Sequence, residues 1–210
     1  MKYKVMIVED QTMPRELFEL RVQASERFEL ALSIDNAALA DVYCLRFPVD
    51  LILMDVITRD GENGLDAAAR IKRAFPQIKI IIVTSMPECS YLKRAKEIGV
   101  ESFWYKEEQR ESLLDVMERT MNGESVYPGA SPELTLGMAS SYQFTERELD
   151  ILREITSGDT NQEIADRLNM SVATVKTHIL NMLEKTGFRN RTELAVRARE
   201  SGLVSLNRRK

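Results

Sequence analysis

Residues 1–122 alternate short apolar runs with amphipathic stretches, and this alternation sets the expected fold before any single residue is weighed. The apolar runs are Tyr3–Val8, Phe28–Ile34, Leu51–Met54, Ile80–Val83 and Ser102–Tyr105. Between them the period lengthens to that of helices, over Pro14–Ala24, Ala37–Phe47, Leu65–Phe75, Ser90–Ile98 and Gln109–Asn122. Pro14 suits a first helical turn, and Asn36 suits an N-cap before Ala37. Two runs, LILM and IIIV, are continuously apolar, as strands buried on both faces of a parallel sheet must be. Strand and helix in strict alternation predict an α/β domain with a doubly wound, five-stranded parallel sheet.

The pattern changes at residue 123. Residues 123–143, GESVYPGASPELTLGMASSYQ, are rich in Gly, Pro and Ser and read as a linker. Beyond it come four helical segments and no strand: Glu146–Thr156, Asn161–Leu168, Val172–Thr186 and Arg191–Ser201, with Gly158 and Gly187 as C-terminal stops. The expected organisation is a domain over 1–122, a linker over 123–143 and a small all-α domain over 144–210.

Charge supports the division. Residues 1–143 hold 17 Lys/Arg and 23 Asp/Glu (−6), and residues 144–210 hold 12 and 10 (+2), within a net charge of −4. Two modules with different partners are expected. The chain has no run of about 18 apolar residues, so a membrane span is not expected. Its start, MKYKVMIVED, meets acidic residues too soon for the apolar core of a signal peptide. The two cysteines, Cys44 and Cys89, form no metal-binding spacing, and a reducing cytoplasm fits.

Candidate chemistry gathers at the strand ends. Ligands of an open parallel sheet sit outside the carboxyl ends of its strands. At those ends stand Glu9 and Asp10, then Asp55, then Thr84 and Ser85, then Lys106. Three carboxylates brought together repel and call for a cation, and hard oxygen donors suit Mg²⁺. The set reads as a phosphoryl-transfer site, with Asp55 as nucleophile and Lys106 and Thr84 holding phosphoryl oxygens.

Glu9-Asp10, Asp55, Thr84 and Lys106, in this order on βα units, resemble the receiver domain of two-component response regulators, which is flavodoxin-like. The resemblance implies that Asp55 accepts a phosphoryl group from a sensor histidine kinase. It implies that the Ile57 main-chain carbonyl joins Glu9, Asp10 and Asp55 around Mg²⁺, and that Phe103 is a rotating switch residue. The segment ITRDGENG departs from receivers in lacking a proline after the acceptor and in running about one residue longer before Gly64. Glu107 also stands after Lys106 where a proline is frequent.

In the second module, Asn161–Leu168, Asn169-Met170-Ser171 and Val172–Thr186 read as helix, tight turn, helix, with Ser171 as N-cap. On a wheel, Val175, Ile179, Met182 and Leu183 share one side, to pack on Ile164, Ala165 and Leu168. Ala173, Lys176, Thr177, Leu180, Asn181 and Glu184 fall on the other side or its flank, free to enter a major groove. His178, the one histidine, sits at the rim of the packed side and reads as structural.

Thr145-x-Arg147-Glu148, Gly158, Asn161-x-x-Ile164-Ala165 and Thr174-Val175-Lys176-x-His178 resemble the LuxR/NarL-type helix-turn-helix. With the receiver, the whole chain is similar to the NarL/FixJ subfamily of response regulators. That resemblance implies double-stranded DNA as partner, with Lys176, Thr177 and Leu180 facing bases. It implies phosphate contacts from Thr174, Asn161, Asn181 and Arg191, and a homodimer when phosphorylated. Leu180 departs from the polar or basic residue of some members and suits a thymine methyl. The expected function is a transcription factor switched at Asp55, not an enzyme beyond slow self-dephosphorylation. Aspartyl-phosphate phosphatases generally carry Asp-x-Asp, and Ile57 stands where the second acid would be. The alternative is a phosphorylation-independent DNA-binding regulator whose receiver only dimerises.

Overall fold

The computed structural model describes residues 2–59, 63–106 and 111–204. They fall into two compact units, Met1–Ser85 with Tyr91–Gly129, and Met86–Ser90 with Ala130–Lys210.

The first unit opens β1 (Tyr3–Val8), α1 (Thr12–Gln23) and β2 (Phe28–Ile34). It continues through α2 (Ala40–Arg46), β3 (Leu51–Met54), α3 (Gly64–Ala74) and β4 (Lys79–Thr84). It ends with α4 (Cys89–Ile98), β5 (Ser102–Tyr105) and α5 (Leu113–Met121). The sheet is parallel throughout, in the order β2-β1-β3-β4-β5. Because β3 lies beside β1, the strand order switches there, and the crevice opens at the carboxyl ends of these two strands. The continuously apolar runs are central, as expected: every residue of β3 is buried, and so is all of β4 after Lys79. Each such side chain contributes roughly 1.5–3 kcal/mol by leaving water. One face of the sheet packs Val5, Ile7, Leu53, Ile81 and Trp104 against Phe18, Val22, Leu113 and Met117 of α1 and α5.

Helix boundaries differ from expectation in instructive ways. α1 begins at Thr12, so Pro14 is its third residue. Proline is still tolerated there, because first-turn amides have no intrahelical acceptor. The stretch beginning at Ala37 is a 3-10 turn over Ala37–Leu39 and then α2. Asn36 caps it as expected, accepting from Ala38 N at 2.7 Å. α5 starts at Leu113, capped by Ser112, which accepts from Asp115 N at 3.2 Å. The expected start at Gln109 lies outside the described residues.

Among the described residues, the second unit holds a short hairpin, β6 (Thr135–Leu136) and β7 (Ala139–Ser140), followed by a 3-10 turn over Ser141–Gln143 and four α-helices. These are α6 (Glu146–Thr156), α7 (Asn161–Arg167), α8 (Val172–Thr186) and α9 (Arg191–Glu200). Thr145 and Glu148 form a capping box on α6, and Thr160 and Glu163 form one on α7. Gly187 ends α8 in the left-handed conformation, φ 73°.

Much of residues 123–143 is structured. Leu136 and Ala139 are buried in the core of the second unit with Leu149, Ile164, Val175 and Leu194. At the other end of the stretch, Val126 O accepts from Phe103 N at 2.8 Å, so the chain leaving α5 runs along the edge of β5.

Candidate functional site

Glu9 follows β1, Asp55 follows β3, Thr84 closes β4 and Lys106 follows β5. The sheet register brings these four ends together. Glu9 and Thr84 are fully buried, and Asp55 is 4 % exposed. Carboxylate oxygens of Glu9, Asp10 and Asp55 lie within 4.8 Å of one another. Lys106 Nζ donates to Asp55 Oδ2 at 2.8 Å and also to Glu9 Oε2. The other Asp55 oxygen accepts from Val56 N at 2.7 Å, and Ile57 N–H also bonds the carboxylate. Ile57 itself sits two residues beyond, bridged to Asn63.

The electrostatics are those of a crowded anionic pocket. Burial, with the Asp55 charge beside it, pushes Glu9 up to about 7 against the pull of Lys106. Burial likewise raises Asp55 above the usual carboxylate range, although Lys106 and two backbone amides oppose it. Burial works to lower Lys106, but Asp55 and Glu9 outweigh it and the ammonium ends above its ordinary value. One lysine does not neutralise three carboxylates. A hard cation with oxygen ligands is what this donor set fits.

Three residues that the sequence reading did not assign help to build the site. Gly64, the first residue of α3, lies so close that a Cβ there would sit 1.9 Å from the Asp55 carbonyl oxygen. Its amide donates to Val56 O at 2.8 Å. Thr58 is buried, and its Oγ1 accepts from Ala37 N at 3.0 Å, tying the loop after Asp55 to the end of β2. Residues 60–62 of the segment ITRDGENG, which is expected to run about one residue longer, and Glu107 after Lys106 lie outside the described residues. The third residue is Tyr127, on the chain beyond α5. Its ring packs on Phe103 at 6.4 Å between centroids, and its hydroxyl donates to Val100 O at 2.7 Å. Lys96 Nζ stands 5.0 Å from the same ring. Phe103 is buried and packs on Tyr105, ring centres 5.0 Å apart. Tyr105 is the register partner of Thr84, so a line of aromatic contacts runs from the site to Tyr127.

Trp104 faces the opposite side, where a cavity of about 620 Å³ opens beside Lys106. Met13, Leu17 and Leu114 also line it.

In the second unit, Val175, Ile179 and Met182 of α8 are buried, and Leu183 packs partly buried against the same core. Thr174, Lys176, Thr177, Leu180 and Asn181 are exposed, as the wheel requires. His178 is half-buried, consistent with its place at the rim. The remaining two expected DNA contacts are engaged with each other: Arg191 donates to Asn161 Oδ1 and to the Asp159 carbonyl. The start of α9 is thus fastened to the start of α7. Arg167, with no role expected from the sequence, donates a hydrogen bond to Glu154 and forms an ion pair with Asp159 Oδ2 at 2.8 Å, both acids buried, and so fixes the α6–α7 turn. Asn169, in the turn before α8, adopts φ 52°.

An acidic crevice on a parallel α/β sheet, followed along the chain by a helix-turn-helix, makes a two-module protein. The family model described as "Response regulator receiver domain" matches residues 5–118, and that described as "Bacterial regulatory proteins, luxR family" matches residues 142–198. The response regulator VraR of Staphylococcus epidermidis (strain RP62A) is 33 % identical over 212 residues, covering 97 % of this chain and all of that protein. VraR of Staphylococcus aureus (strain Mu3) is 32 % identical at the same coverage. Among solved structures, two RcsB dimers bound to two parallel DNAs match with TM-score 0.61 at 17 % identity, covering 94 % of this chain and 98 % of that one. The response regulator ChrA of a heme-sensing two-component system matches with TM-score 0.53 at 21 % identity, covering 97 % and 99 %. The chain belongs to the response regulators, with a receiver domain followed by a LuxR-type DNA-binding domain. This is a family of two-component transcription factors, not of classical enzymes. Among the described residues, no helix is long and apolar enough to cross a membrane.

Proposed function

We propose that this protein is a cytoplasmic transcription factor whose DNA binding is set by phosphorylation of Asp55. The observation that carries the reading is the Lys106 ammonium bridging Asp55 and Glu9 within a cluster of three carboxylates at the strand switch point. A sensor histidine kinase is the phosphoryl donor. An Asp55 oxygen attacks phosphorus, the P–N bond to the kinase imidazole breaks, and an acyl phosphate forms on Asp55. Glu9, Asp10, Asp55 and the Ile57 carbonyl would hold Mg²⁺, which supplies charge neutralisation at the phosphoryl oxygens. Lys106 passes from the Asp55 carboxylate to a phosphoryl oxygen, and the Thr84 hydroxyl takes another. Movement of Thr84 presses on its register partner Tyr105, and so on Phe103, the switch residue. The only enzymatic chemistry is slow hydrolysis of the acyl phosphate.

Residues 1–122 act as receiver, 123–143 as connection and 144–210 as DNA-binding module. Phosphorylation favours a homodimer whose two α8 helices enter successive major-groove half-sites. Lys176, Thr177 and Leu180 meet base edges, while Thr174 and Asn181 meet phosphates. Asn161 and Arg191 complete the phosphate contacts through their remaining N–H groups.

The test is DNA affinity and particle size by light scattering, with and without beryllofluoride and Mg²⁺, on wild type and Asp55→Ala. Beryllofluoride must raise dimer fraction or affinity in wild type alone. Equal binding by both proteins in both conditions would instead establish a phosphorylation-independent regulator whose receiver only dimerises.

A further inference from the structure

The outward side of α8 carries an apolar stripe between its polar residues. Leu180 is 56 % exposed although it is a large hydrophobic residue. Ala173, Thr177 and Leu180 are all exposed and follow one another at spacings of four and three, so they form one stripe. They lie within about 60° of each other on the helical wheel, opposite the buried Val175, Ile179 and Met182. Thr177 does not add a free donor to the stripe. Its hydroxyl donates back to Ala173 O at 3.1 Å, which leaves its methyl group as what it presents outward. Along the stripe, then, stand a methyl, a second methyl and an isobutyl group, flanked by the exposed Lys176 and Asn181.

A lone exposed leucine needs no explanation, but three apolar groups in register on the face read as DNA-facing do. The major-groove floor carries one apolar group, the thymine C5-methyl. From Ala173 to Leu180 the helix rises about 10 Å, the length of roughly three base-pair steps. Resting on the reading that α8 enters the major groove, we infer that Leu180 and Thr177 are specificity-determining residues that read thymine methyl groups over about three consecutive base pairs of each half-site. Lys176, at the edge of the stripe, is left to contact a guanine or a phosphate beside the thymines. The expected half-site is accordingly rich in thymine where Leu180 lies.

The experiment separates this inference from the reading beneath it. Duplexes are first selected from a random pool by full-length protein with beryllofluoride and Mg²⁺. Fluorescence anisotropy then gives Kd for the selected duplex and for versions in which each thymine of the half-site is replaced in turn by deoxyuridine, which removes only the methyl. Wild type is expected to lose about fourfold in affinity for each methyl it covers. Leu180→Ala is expected to bind the thymine duplex several-fold more weakly and to be indifferent to uracil at the position Leu180 contacts. Lys176→Ala is expected to keep the uracil penalty although its affinity falls. Sequence-specific binding with identical Kd for thymine and uracil duplexes throughout the half-site overturns the inference and leaves the proposed function standing. Failure to select any sequence overturns both. If Leu180→Ala alters particle size in light scattering while uracil has no effect, the stripe is a protein contact and the inference also fails. The deoxyuridine arm leaves the protein untouched, so it decides the matter whatever a substitution does to folding.

Discussion

Gly64→Ala puts the geometry of the proposed phosphoryl site to a direct test. Gly64 opens α3 with its amide bonded to Val56 O, and the added methyl would sit 1.9 Å from Asp55 O and 2.9 Å from Met54 Cγ. The nearest atom is backbone, so it does not rotate away. Ordinary van der Waals contact begins near 3.4 Å, and more than 1 Å of relief must therefore come from α3 or from the chain at Asp55. The objection to alanine is spatial, since Gly64 is not among the glycines with positive φ. Forcing a methyl into a filled space costs about 2 kcal/mol. The first unfolding transition should accordingly fall by roughly 10 °C. A displacement of about 1 Å at a reacting group is worth on the order of 100-fold in rate.

The assay is phosphorylation of the full-length protein by a small phosphodonor, which removes the kinase from the question. It can be followed through Trp104, the one tryptophan of the chain, which lines the cavity beside Lys106. Gly129→Ala serves as control, because a Cβ at Gly129 would meet nothing within 4 Å. The expected result is slow phosphorylation for Gly64→Ala, with circular dichroism unchanged, and wild-type behaviour for Gly129→Ala. Wild-type phosphorylation and melting of Gly64→Ala would refute the argument that α3 sets the position of Asp55.

Arg191→Ala and Lys176→Ala should weaken DNA binding for different reasons. Arg191→Ala releases the tie between α9 and α7, so its melting temperature falls along with affinity. Lys176→Ala leaves the melt unchanged and flattens the dependence of log Kd on log salt by up to about 1. Tyr127→Phe, which deletes the bond to Val100 O, should cost about 1 kcal/mol in urea denaturation. Tyr127→Ala should in addition weaken the beryllofluoride-induced gain in DNA affinity while leaving beryllofluoride binding, read by Trp104 fluorescence, intact. Glu148 supplies a pH test. Burial works to raise its pKa, but hydrogen bonds from Lys185 and Thr145 outweigh that and hold it below 4.5. Because the folded value is the lower one, its stabilising contribution is complete above pH 4.5 and disappears as pH falls through the folded pKa. Lys185→Met should lower stability at pH 7 by about 2 kcal/mol and shrink the loss seen on acidification, both read by urea titration.

The parts of this fold legible in the sequence are those that local periodicity controls. Four of the five sheet strands have the bounds that the apolar runs predicted, and β4 extends its run by one residue at each end. The acidic cluster was legible because βα alternation alone dictates which residues stand at carboxyl ends. What the sequence did not display are contacts whose two ends are far apart in the chain. Gly64 reads as an ordinary glycine until α3 is packed on the carbonyl of Asp55. Tyr127 reads as part of a Gly/Pro/Ser-rich connection until β5 offers it an edge and a ring. Arg167 reads as a solvated charge until Glu154 and Asp159 are buried beneath it. The hairpin of β6 and β7 was hidden for a similar reason, because two-residue strands carry no period and only Leu136 and Ala139 commit them to the core.

The aromatic line from Thr84 to Tyr127 gains its meaning from the charge at its head. Three carboxylates and one lysine in a buried crevice are a poor way to stabilise a fold, and the raised pKa values of Glu9 and Asp55 register that cost. Such strain is retained where a ligand relieves it. A cation and a phosphoryl group would do so by redistributing the same few contacts. Lys106 would exchange a carboxylate for a phosphoryl oxygen, and Thr84 would turn toward the new charge. Tyr105 is the register partner of Thr84 on a fully buried stretch of β5, and its ring packs on Phe103, so a turn of Thr84 would be felt along this line. A close-packed interior responds to such a push by repacking in discrete steps. The last ring in the line, Tyr127, belongs to the chain that leads out of the receiver. The proposed phosphorylation at the sheet edge would therefore have a packed route, through Phe103 and Tyr127, to the segment that links the receiver to the DNA-binding module.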